Sequence, residues 1–361
     1  MLSVRRLIIL IGLLIVGLAT LYFQRSRPAP KPRAVVLDEI DAELGGLTAK
    51  GFAGSILIAG GGDILLSKGY GLADRSTGRA IDPSTGFDIG SLVKVFTATA
   101  ILTLEQDGKL QGNDSISRFL DVPDDKRAIT VDMLLQHTSG LPDIVNSRSV
   151  PIDYTPEYDY EPVSRDEIVR RAMRAKLISP PGAKEQYSNL GYSLLGVIIE
   201  QASGKPYEDY LRQRIFVPAG MDRTGYISPG WKQDELAVGY VDGNPWGTPR
   251  DHPWLADGPS WNLRANGGML SNPGDLYKWI LALDSPNVFP PTLKNRLYEL
   301  MVHKNRRGTR TMGPAGSNGI FDAVYLWYLD EHTAYIMMTS TDAYRAEKMV
   351  GKIAGQILNA R

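Results

Sequence analysis

The chain contains no cysteine among its 361 residues. This absence excludes disulfides, a thiol nucleophile, a cysteine-ligated zinc site and a lipid-modified N-terminal cysteine. It leaves the compartment open, because an exported protein can lack disulfides. The charges also balance, with 40 Lys and Arg against 40 Asp and Glu. A net charge of zero argues against a nucleic-acid partner, whose binding would depend on a basic surface.

Histidine is scarce, with four residues in the chain, and three of them show no ligand spacing: His252, His303 and His332. We therefore predict no metal site. The sequence also lacks a G-x-S-x-G motif, which disfavours an α/β-hydrolase. In contrast, hydrophobic residues make up 43% of the chain, which predicts a globular protein with a sizeable core.

The first 33 residues are predicted to lie outside the folded domain. Arg5 and Arg6 precede an apolar run at 7–23, and a Pro- and Arg-rich stretch typical of a stiff linker follows to residue 33. The run is longer than a usual signal-peptide core and shorter than a membrane span of about 20 residues. We favour an uncleaved membrane anchor over a cleaved signal. Basic residues on both sides leave its orientation open.

From residue 34 to 361 the apolar pattern predicts a single α/β body. Short apolar runs at 52–59 and 63–68 flank three glycines and predict a β-hairpin. Further elements are predicted from periodicity and turn residues: helices at 90–106, 192–202, 272–283 and about 343–358, and strands at 323–329 and 333–339. The helix at 90–106 is apolar on most faces, which indicates a central, buried position.

Ser91 and Lys94 stand at the beginning of this central helix. Three residues apart on a helix, their side chains share one face. A serine hydroxyl becomes a nucleophile when a neighbour takes its proton, and a lysine can do so when burial lowers its pKa from about 10.4. The motif alone is also typical of a serine N-cap followed by a solvated lysine, and without further observations that alternative is favoured.

Tyr187 and Asn189 form a second candidate pair, just before the apolar helix at 192–202. Two residues apart in an extended segment, they point to the same side. A phenol can relay a proton, and a carboxamide can hold a substrate amide or orient a lysine. The alternative is a turn tyrosine packed on the core and an asparagine that caps the helix.

The chain resembles the serine β-lactamase and penicillin-binding-protein-like family, above all its class C branch. Besides the residues above, ordered segments match those of the family: 133–143 (MLLQHTSGLPD), 187–192 (YSNLGY), 215–221 (IFVPAGM) with Thr224, and 267–271 (GGMLS) with Asp275 and Leu276. Their order and spacing agree over about residues 40 to 355. Chance agreement of this many ordered segments is negligible.

The resemblance implies an α/β (α+β) fold, with an antiparallel sheet built from both chain ends, flanking helices and an inserted, mostly helical lobe at roughly 110–265. It implies acyl transfer on Ser91, with Lys94 as proton partner, Tyr187 as general base and Asn189 as substrate-amide contact. The expected partner is a small-molecule ester, amide or peptide substrate, and no cofactor is expected. Family members usually act on the extracytoplasmic side, so an exported or membrane-anchored location is favoured. The oligomeric state is not predicted.

The third family element departs from its usual form. Relatives carry K-T-G, H-T-G or H-x-G on an edge strand, whereas this chain has Pro314-Ala315-Gly316. Proline neither carries charge nor donates a side-chain hydrogen bond, so recognition of a substrate carboxylate is weakened. Gly316 and the Ser317 backbone N–H are still expected to complete an oxyanion hole at the substrate site. Arg307 or Arg310 could supply the missing cation, although a solvated basic loop is the favoured interpretation.

Two aromatic segments are candidates for walls of the groove. One is the acidic, tyrosine-rich stretch 154–161, and the other carries Trp246, Trp254 and Trp261. Such walls would suit an apolar or aryl acyl group, and the alternative is ordinary packing on the surface. His137 is interpreted as structural rather than as a catalytic base.

Two functional hypotheses follow. The first is a membrane-anchored serine hydrolase that acts on an ester or amide, like an esterase, a D-Ala peptidase or a β-lactamase. The second, motivated by Pro314, is a non-catalytic β-lactamase-like protein that binds a peptide or cell-wall ligand in the same groove.

Overall fold

The computed structural model describes residues 31–143, 163–251, 254–255, 257–305 and 308–360. Its strands are β1 Gly54–Gly60, β2 Asp63–Tyr70, β3 Leu72–Asp74, β4 Arg79–Ala80, β5 Phe87–Asp88, β6 Gly239–Val241, β7 Asn244–Gly247, β8 Trp254–Leu255, β9 Gly258–Pro259, β10 Leu270–Ser271, β11 Val302–Lys304, β12 Arg310–Met312, β13 Ala315–Ser317, β14 Asp322–Tyr328 and β15 Thr333–Thr339. Its α-helices are α1 Arg33–Leu47, α2 Val93–Gln106, α3 Val131–Leu135, α4 Arg165–Arg174, α5 Asn189–Ser203, α6 Tyr207–Leu211, α7 Val217–Ala219, α8 Pro273–Asp284, α9 Pro291–Met301 and α10 Ala346–Leu358.

The main sheet is antiparallel and combines strands from both parts of the chain, in the order β11-β12-β14-β15-β1-β2. β1 pairs with β15 in a register that sets Gly54 opposite Thr339 and Gly60 opposite Thr333. β13 pairs with β14 beyond the end of β12, so one edge of the sheet is shared by two short strands. The expected fold class, an antiparallel sheet with flanking helices, is confirmed.

Helices cover both faces of this sheet, because alternate residues of its central strands are apolar on each side. On one face, Ile56 and Ile58 of β1 pack in a cluster with residues of α1 and α10: Val36, Ile40, Leu44, Val350, Ile353 and Ile357. On the other face, Leu57 and Ala59 join the large core that contains α2, α5 and α8. This second face carries the candidate site.

The central helix α2 is buried along nearly its whole length, from Val93 to Leu104. It packs against α5 and α9, and it therefore fixes whatever side chains project from its first turn. Between β5 and β10 the described elements are helices, loops and short two-stranded hairpins. The predicted limits of an inserted lobe, about 110–265, stay a prediction.

The elements predicted from sequence agree with the structure, with shifts at their ends. The hairpin runs over 54–60 and 63–70, and the last helix begins at Ala346 rather than near 343. The segment 90–106 differs more, because it opens with a 3-10 turn, Gly90–Leu92, before α2. None of the described helices combines the length and apolar character needed to cross a bilayer. The apolar run at 7–23 lies outside the described residues.

Candidate active site

Ser91 sits in the 3-10 turn that joins β5 to α2. Its side chain does not cap a helix, because the residue before α2 is Leu92 and makes no side-chain cap. Gly90 adopts φ +49°, and a Cβ added there would lie 2.6 Å from the backbone nitrogen of Ser317. Only glycine allows this turn to approach β13 so closely. The N-cap interpretation of Ser91 is therefore wrong, and its hydroxyl is free for other partners.

Lys94 is buried beneath Ser91, with 6% of the residue exposed. Its Nζ donates to Ser91 Oγ at 3.0 Å, to Asn189 Oδ1 at 2.6 Å and to the backbone carbonyl of Asn266 at 2.7 Å. Burial lowers the pKa of Lys94 to about 7, and the carboxylate of Asp143 opposes this shift. The solvated-lysine interpretation is wrong. An amine with this pKa is neutral in a large fraction of molecules near neutral pH and can accept a proton.

Tyr187 approaches the same hydroxyl from the solvent side. Its OH lies 2.8 Å from Ser91 Oγ, its ring centroid lies 5.0 Å from Lys94 Nζ, and 46% of the residue is exposed. Partial burial raises the pKa of Tyr187, the hydrogen bond with Ser91 lowers it, and the charge of Asp143 raises it further. Tyr187 is therefore a neutral phenol near pH 7, placed to pass a proton rather than to hold a negative charge.

Asn189 is the first residue of α5 and is 3% exposed. The helix is capped by Ser188, whose Oγ accepts from Gly191 N at 3.1 Å, so Asn189 is not the cap. Its Oδ1 accepts from Lys94, and its Nδ2 donates to Asp143 Oδ2 at 3.2 Å. Ser188 has an extended backbone, which sends Tyr187 and Asn189 to the same side, as predicted. In this geometry the carboxamide orients Lys94.

Two partners of this network escaped the sequence reasoning. Asp143 follows α3 and accepts from the backbone N of Asn189 at 3.3 Å as well as from its side chain. The other partner is the carbonyl of Asn266, which follows Ala265 in the left-handed region at φ +70°. Asp143 ends a segment that matched the family, which was the one available signal. A backbone carbonyl leaves no signal in a sequence pattern.

His137 lies behind the tyrosine rather than next to the serine. Its ring centroid is 4.5 Å from that of Tyr187, and its Nδ1 accepts from the backbone N of Ser188 at 3.1 Å. Burial and the neighbouring Lys94 lower the pKa of His137 to about 4, so the ring is neutral near pH 7. These contacts position Tyr187, in line with the structural role expected from the sequence.

The strand β13 forms the opposite wall of the Ser91 turn. A Cβ added to Gly316 would lie 2.0 Å from the carbonyl oxygen of Ile89 and 2.6 Å from the backbone N of Ser91. The amides of Ser91 and Ser317 are thus carried by two backbone segments in direct contact. Pro314 lies between β12 and β13, where the edge of the sheet is interrupted, a position that tolerates proline.

The basic residues that precede Pro314, at 304–310, do not replace the cation missing at Pro314, as far as the structure describes them. Arg310 pairs with Asp330 through Nη2 at 2.6 Å and Nε at 2.9 Å, at the far end of the sheet edge. Arg307 lies outside the described residues. Arg310 therefore does not supply the cation that is missing at Pro314. It lies on β12 and is paired with Asp330, rather than in a solvated loop.

The expected aromatic walls are described only in part. Trp246 packs edge-on against Phe321 with ring centroids 6.0 Å apart, next to the turn after β13. Trp261 is buried, 3% exposed, with the guanidinium of Arg264 over its ring. Trp261 therefore belongs to the core and not to a wall. The side chain of Trp254 and the whole stretch 154–161 lie outside the described residues.

Known proteins share this architecture. A protein of Bacillus subtilis named "Putative penicillin-binding protein PbpX" is 33% identical over 264 residues, which cover 73% of this chain and 62% of that protein. A penicillin-binding protein homologue from Pyrococcus abyssi has a TM-score of 0.75 at 22% identity, over 90% of this chain and 78% of the other, which shows the same fold. A D-amino acid amidase from Ochrobactrum anthropi SV3 has a TM-score of 0.70 at 27% identity, over 90% and 99% of the two chains.

The match to curated relatives is partial in length, since the aligned region spans 42% to 62% of those proteins. The family model named Beta-lactamase matches residues 42–353, which is most of the chain and includes every residue of the site described above. The chain therefore belongs to the β-lactamase family of serine hydrolases and penicillin-binding-protein-like proteins.

Proposed function

We propose that the protein hydrolyses an ester or amide through an acyl-enzyme formed on Ser91. The observation that carries the proposal is the double contact at Ser91 Oγ, with Lys94 Nζ at 3.0 Å and Tyr187 OH at 2.8 Å. One partner can take the serine proton, and the other can pass it onward. Nucleophilic catalysis requires a nucleophile in contact with a base, and the base must be oriented by other residues. The contacts at Ser91 have this geometry.

In the first step Lys94, in its neutral form, accepts the proton of Ser91 while Oγ bonds to the substrate carbonyl carbon. We assign the base role to Lys94 because its pKa is lowered to about 7, whereas the pKa of Tyr187 is raised. Asn189 and the Asn266 carbonyl hold the amine in place. The tetrahedral intermediate carries its negative charge on the former carbonyl oxygen.

The backbone N–H groups of Ser91 and Ser317 are our candidates for stabilising that oxygen. Removal of one such donor in a serine protease costs about 3 kcal/mol of transition-state stabilisation. As the intermediate collapses, the bond to the leaving group breaks, and the leaving group takes the proton from Lys94 through the Tyr187 hydroxyl. Water then adds to the acyl-enzyme by the same proton route, releases the acid and restores Ser91.

The substrate class is proposed from charge. Lys94 is the one cation that the described residues place within hydrogen-bond distance of Ser91, and its pKa leaves it partly neutral. Pro314 stands where relatives carry lysine or histidine, and the Asp143 carboxylate is close to the site. Among the residues that the structure describes, a substrate carboxylate therefore has no fixed cationic partner next to Ser91. We propose uncharged esters and amides ahead of β-lactams and D-Ala-D-Ala peptides.

The location is proposed from the N-terminal sequence. The apolar run at 7–23 and the Pro- and Arg-rich linker support export with a retained membrane anchor. Fractionation of cells that express the full chain tests this proposal. Recovery in the membrane fraction, with the folded domain open to added protease on the outer side, supports it. Recovery as a cytoplasmic protein contradicts it.

Labelling with a fluorophosphonate probe tests the catalytic proposal. The wild type should form an adduct on Ser91, and Ser91→Ala should form none. Ser117→Ala is a matched control, because Ser117 is an exposed serine in another 3-10 turn, Ile116–Arg118. Labelling that survives in Ser91→Ala, or no adduct with the wild type, contradicts the proposal.

Pro314 favours one alternative, a non-catalytic protein that binds ligands in the same groove. Turnover distinguishes the two. Side-by-side rates with a short-chain p-nitrophenyl ester, nitrocefin and a D-Ala-D-Ala peptide should rank the ester first. Turnover that disappears in Ser91→Ala excludes the alternative, and binding of the peptide with no turnover of any substrate supports it.

A further inference from the structure

Asp88 is a buried carboxylate at the end of β5, two residues before the Ser91 turn begins at Gly90. The residue is 6% exposed, and its two oxygens accept hydrogen bonds from different parts of the chain. Oδ1 accepts from Gly90 N at 2.7 Å, and Oδ2 accepts from Asn318 Nδ2 at 3.1 Å. Within the described residues no ion pair compensates its charge. Burial of an anion with only two neutral donors costs folding free energy.

Asn318 is the first residue after β13, and both the oxygen and the nitrogen of its carboxamide form hydrogen bonds. Its Oδ1 accepts from Ile320 N at 3.0 Å and Phe321 N at 2.8 Å, while its backbone N donates to the Phe321 carbonyl at 3.2 Å. These bonds shape the turn from β13 to β14. The Nδ2 group is then directed at Asp88.

The Asp88–Asn318 bond therefore joins the two segments that carry the Ser91 and Ser317 amides. On one side the carboxylate holds Gly90, directly before Ser91. On the other side it holds Asn318, directly after Ser317. The same segments are in contact at Gly90 and Gly316, where an added Cβ would lie 2.6 Å from the amide nitrogen of the facing segment. Contact prevents the segments from moving closer, and the side-chain bond prevents them from separating.

We propose that Asp88 and Asn318 are positioning residues that fix the spacing of the Ser91 and Ser317 amides for the tetrahedral intermediate. The inference rests on the proposed function and deepens it. Donors that stabilise a developing oxyanion act through preorganisation, and a site loosened by a fraction of an ångström loses much of that effect. Loss of the clamp should therefore reduce kcat and leave substrate binding almost unchanged.

An exchange of the two side chains tests the clamp. In Asp88→Asn, two carboxamides face each other, and the NH2 donor of Asn318 loses its carboxylate acceptor. In Asn318→Asp, two carboxylates face each other, and the donor is lost. In the double variant every bond can return: the residue at 88 accepts from Gly90 N and donates to the residue at 318, which accepts from Ile320 N and Phe321 N. A double-mutant cycle isolates this pairwise coupling.

With a p-nitrophenyl ester, each single variant should lower kcat 10- to 100-fold and change KM less than threefold. The double variant should regain kcat to within about fivefold of the wild type. Asp74→Asn is the matched control, because Asp74 Oδ1 also accepts from a backbone N two residues ahead, Ser76 at 2.8 Å, away from the site. It should keep the wild-type kcat. Thermal unfolding of all variants shows whether they remain folded. Asn318→Ala removes the bond to Asp88 without adding a charge, and it should lower kcat like the other single variants.

The outcomes separate the two proposals. Single variants with wild-type kcat, or a double variant no faster than the slower single, overturn the clamp while Ser91→Ala stays inactive. A kcat loss that matches a loss of folded protein also overturns it. A wild type without Ser91-dependent turnover overturns the proposed function, and the clamp with it.

Discussion

Lys94 and Tyr187 share one hydrogen-bond partner although they occupy opposite environments. The lysine is 6% exposed and the tyrosine 46%, yet Lys94 Nζ lies 5.0 Å from the Tyr187 ring centroid and both groups bond to Ser91 Oγ. Ser91 Oγ thus joins a buried amine to the hydroxyl of a half-exposed tyrosine. In the mechanism that we propose, the buried lysine therefore holds the proton and the tyrosine delivers it.

Tyr187→Phe should retain the fold and lose most of the turnover. The change removes the hydroxyl at 2.8 Å from Ser91 Oγ and keeps the ring that packs against His137. General acid–base groups contribute about 100- to 10,000-fold, so we expect kcat to fall at least 100-fold in steady-state ester hydrolysis. Tyr240→Phe removes another tyrosine hydroxyl, which accepts from Arg75 N, and should keep full activity. Equal rates for Tyr187→Phe and wild type would remove the relay from the mechanism.

The rate should rise with pH through about 7. Burial lowers the pKa of Lys94 to about 7, and the neutral amine is the form that accepts the Ser91 proton. We therefore expect kcat/KM to increase about tenfold per pH unit below 6 and to level off above 8. Measurements from pH 5 to 9 check this limb. Lys94→Arg, which stays protonated, should be inactive throughout, whereas Asp88→Asn should keep the limb near pH 7. A profile that is flat across this range contradicts the assignment of Lys94.

Gly316→Ala should damage the site through backbone displacement. The new Cβ would meet the Ile89 carbonyl oxygen at 2.0 Å, so β13 must move away from the Ser91 turn. We expect at least a 100-fold loss of fluorophosphonate labelling rate, measured with the folded fraction checked by circular dichroism. Gly313→Ala, in the connection just before β13, is the matched control, since its Cβ would meet a flexible Leu326 side chain at 3.2 Å. Similar effects of both variants would show that the contact with the Ser91 turn is not special.

Pro314→Lys should shift the preference toward carboxylate-bearing substrates. The change restores a cation at the position where the family usually has one, and a charge-assisted hydrogen bond to a carboxylate contributes about 1.5–3 kcal/mol. We expect the ratio of kcat/KM for nitrocefin to that for a short ester to rise about tenfold. Pro314→Gln removes the proline without adding charge and should leave the ratio unchanged. An equal rise in both variants would assign the effect to the backbone.

Spacing along the chain was enough to pair Ser91 with Lys94 and Tyr187 with Asn189, whereas their catalytic roles came from the family resemblance and stay predictions. Helical spacing set Ser91 and Lys94 on one face, and an extended residue set Tyr187 and Asn189 on one side. The strands at 54–60 and 333–339 were visible as apolar runs, although their pairing came from the resemblance and not from the pattern.

The supporting contacts were beyond sequence reasoning because they join distant segments. Asp143 bonds to Asn189, and Asp88 bonds to Asn318. These partners are so far apart in the sequence that the periodicity of a helix or strand cannot predict their contact. The carbonyl of Asn266 depends on the left-handed backbone of Ala265, which residue type did not indicate. The 3-10 turn at Gly90–Leu92 was merged into a helix because its apolar residues continue the helical period.

The central pairing of β1 with β15 also limits the order in which the molecule can fold. Residues 54–60 must wait for residues 333–339 before the middle of the sheet exists, and contacts so distant along the chain form slowly. β13, which carries the Ser317 amide, pairs with β14, and β14 in turn pairs with β15. During synthesis Ser91 precedes β13, β14 and β15, so it gains its opposite wall only after these strands have been made. The two amides that we propose as the oxyanion hole, those of Ser91 and Ser317, therefore come together only after these C-terminal strands have been synthesised.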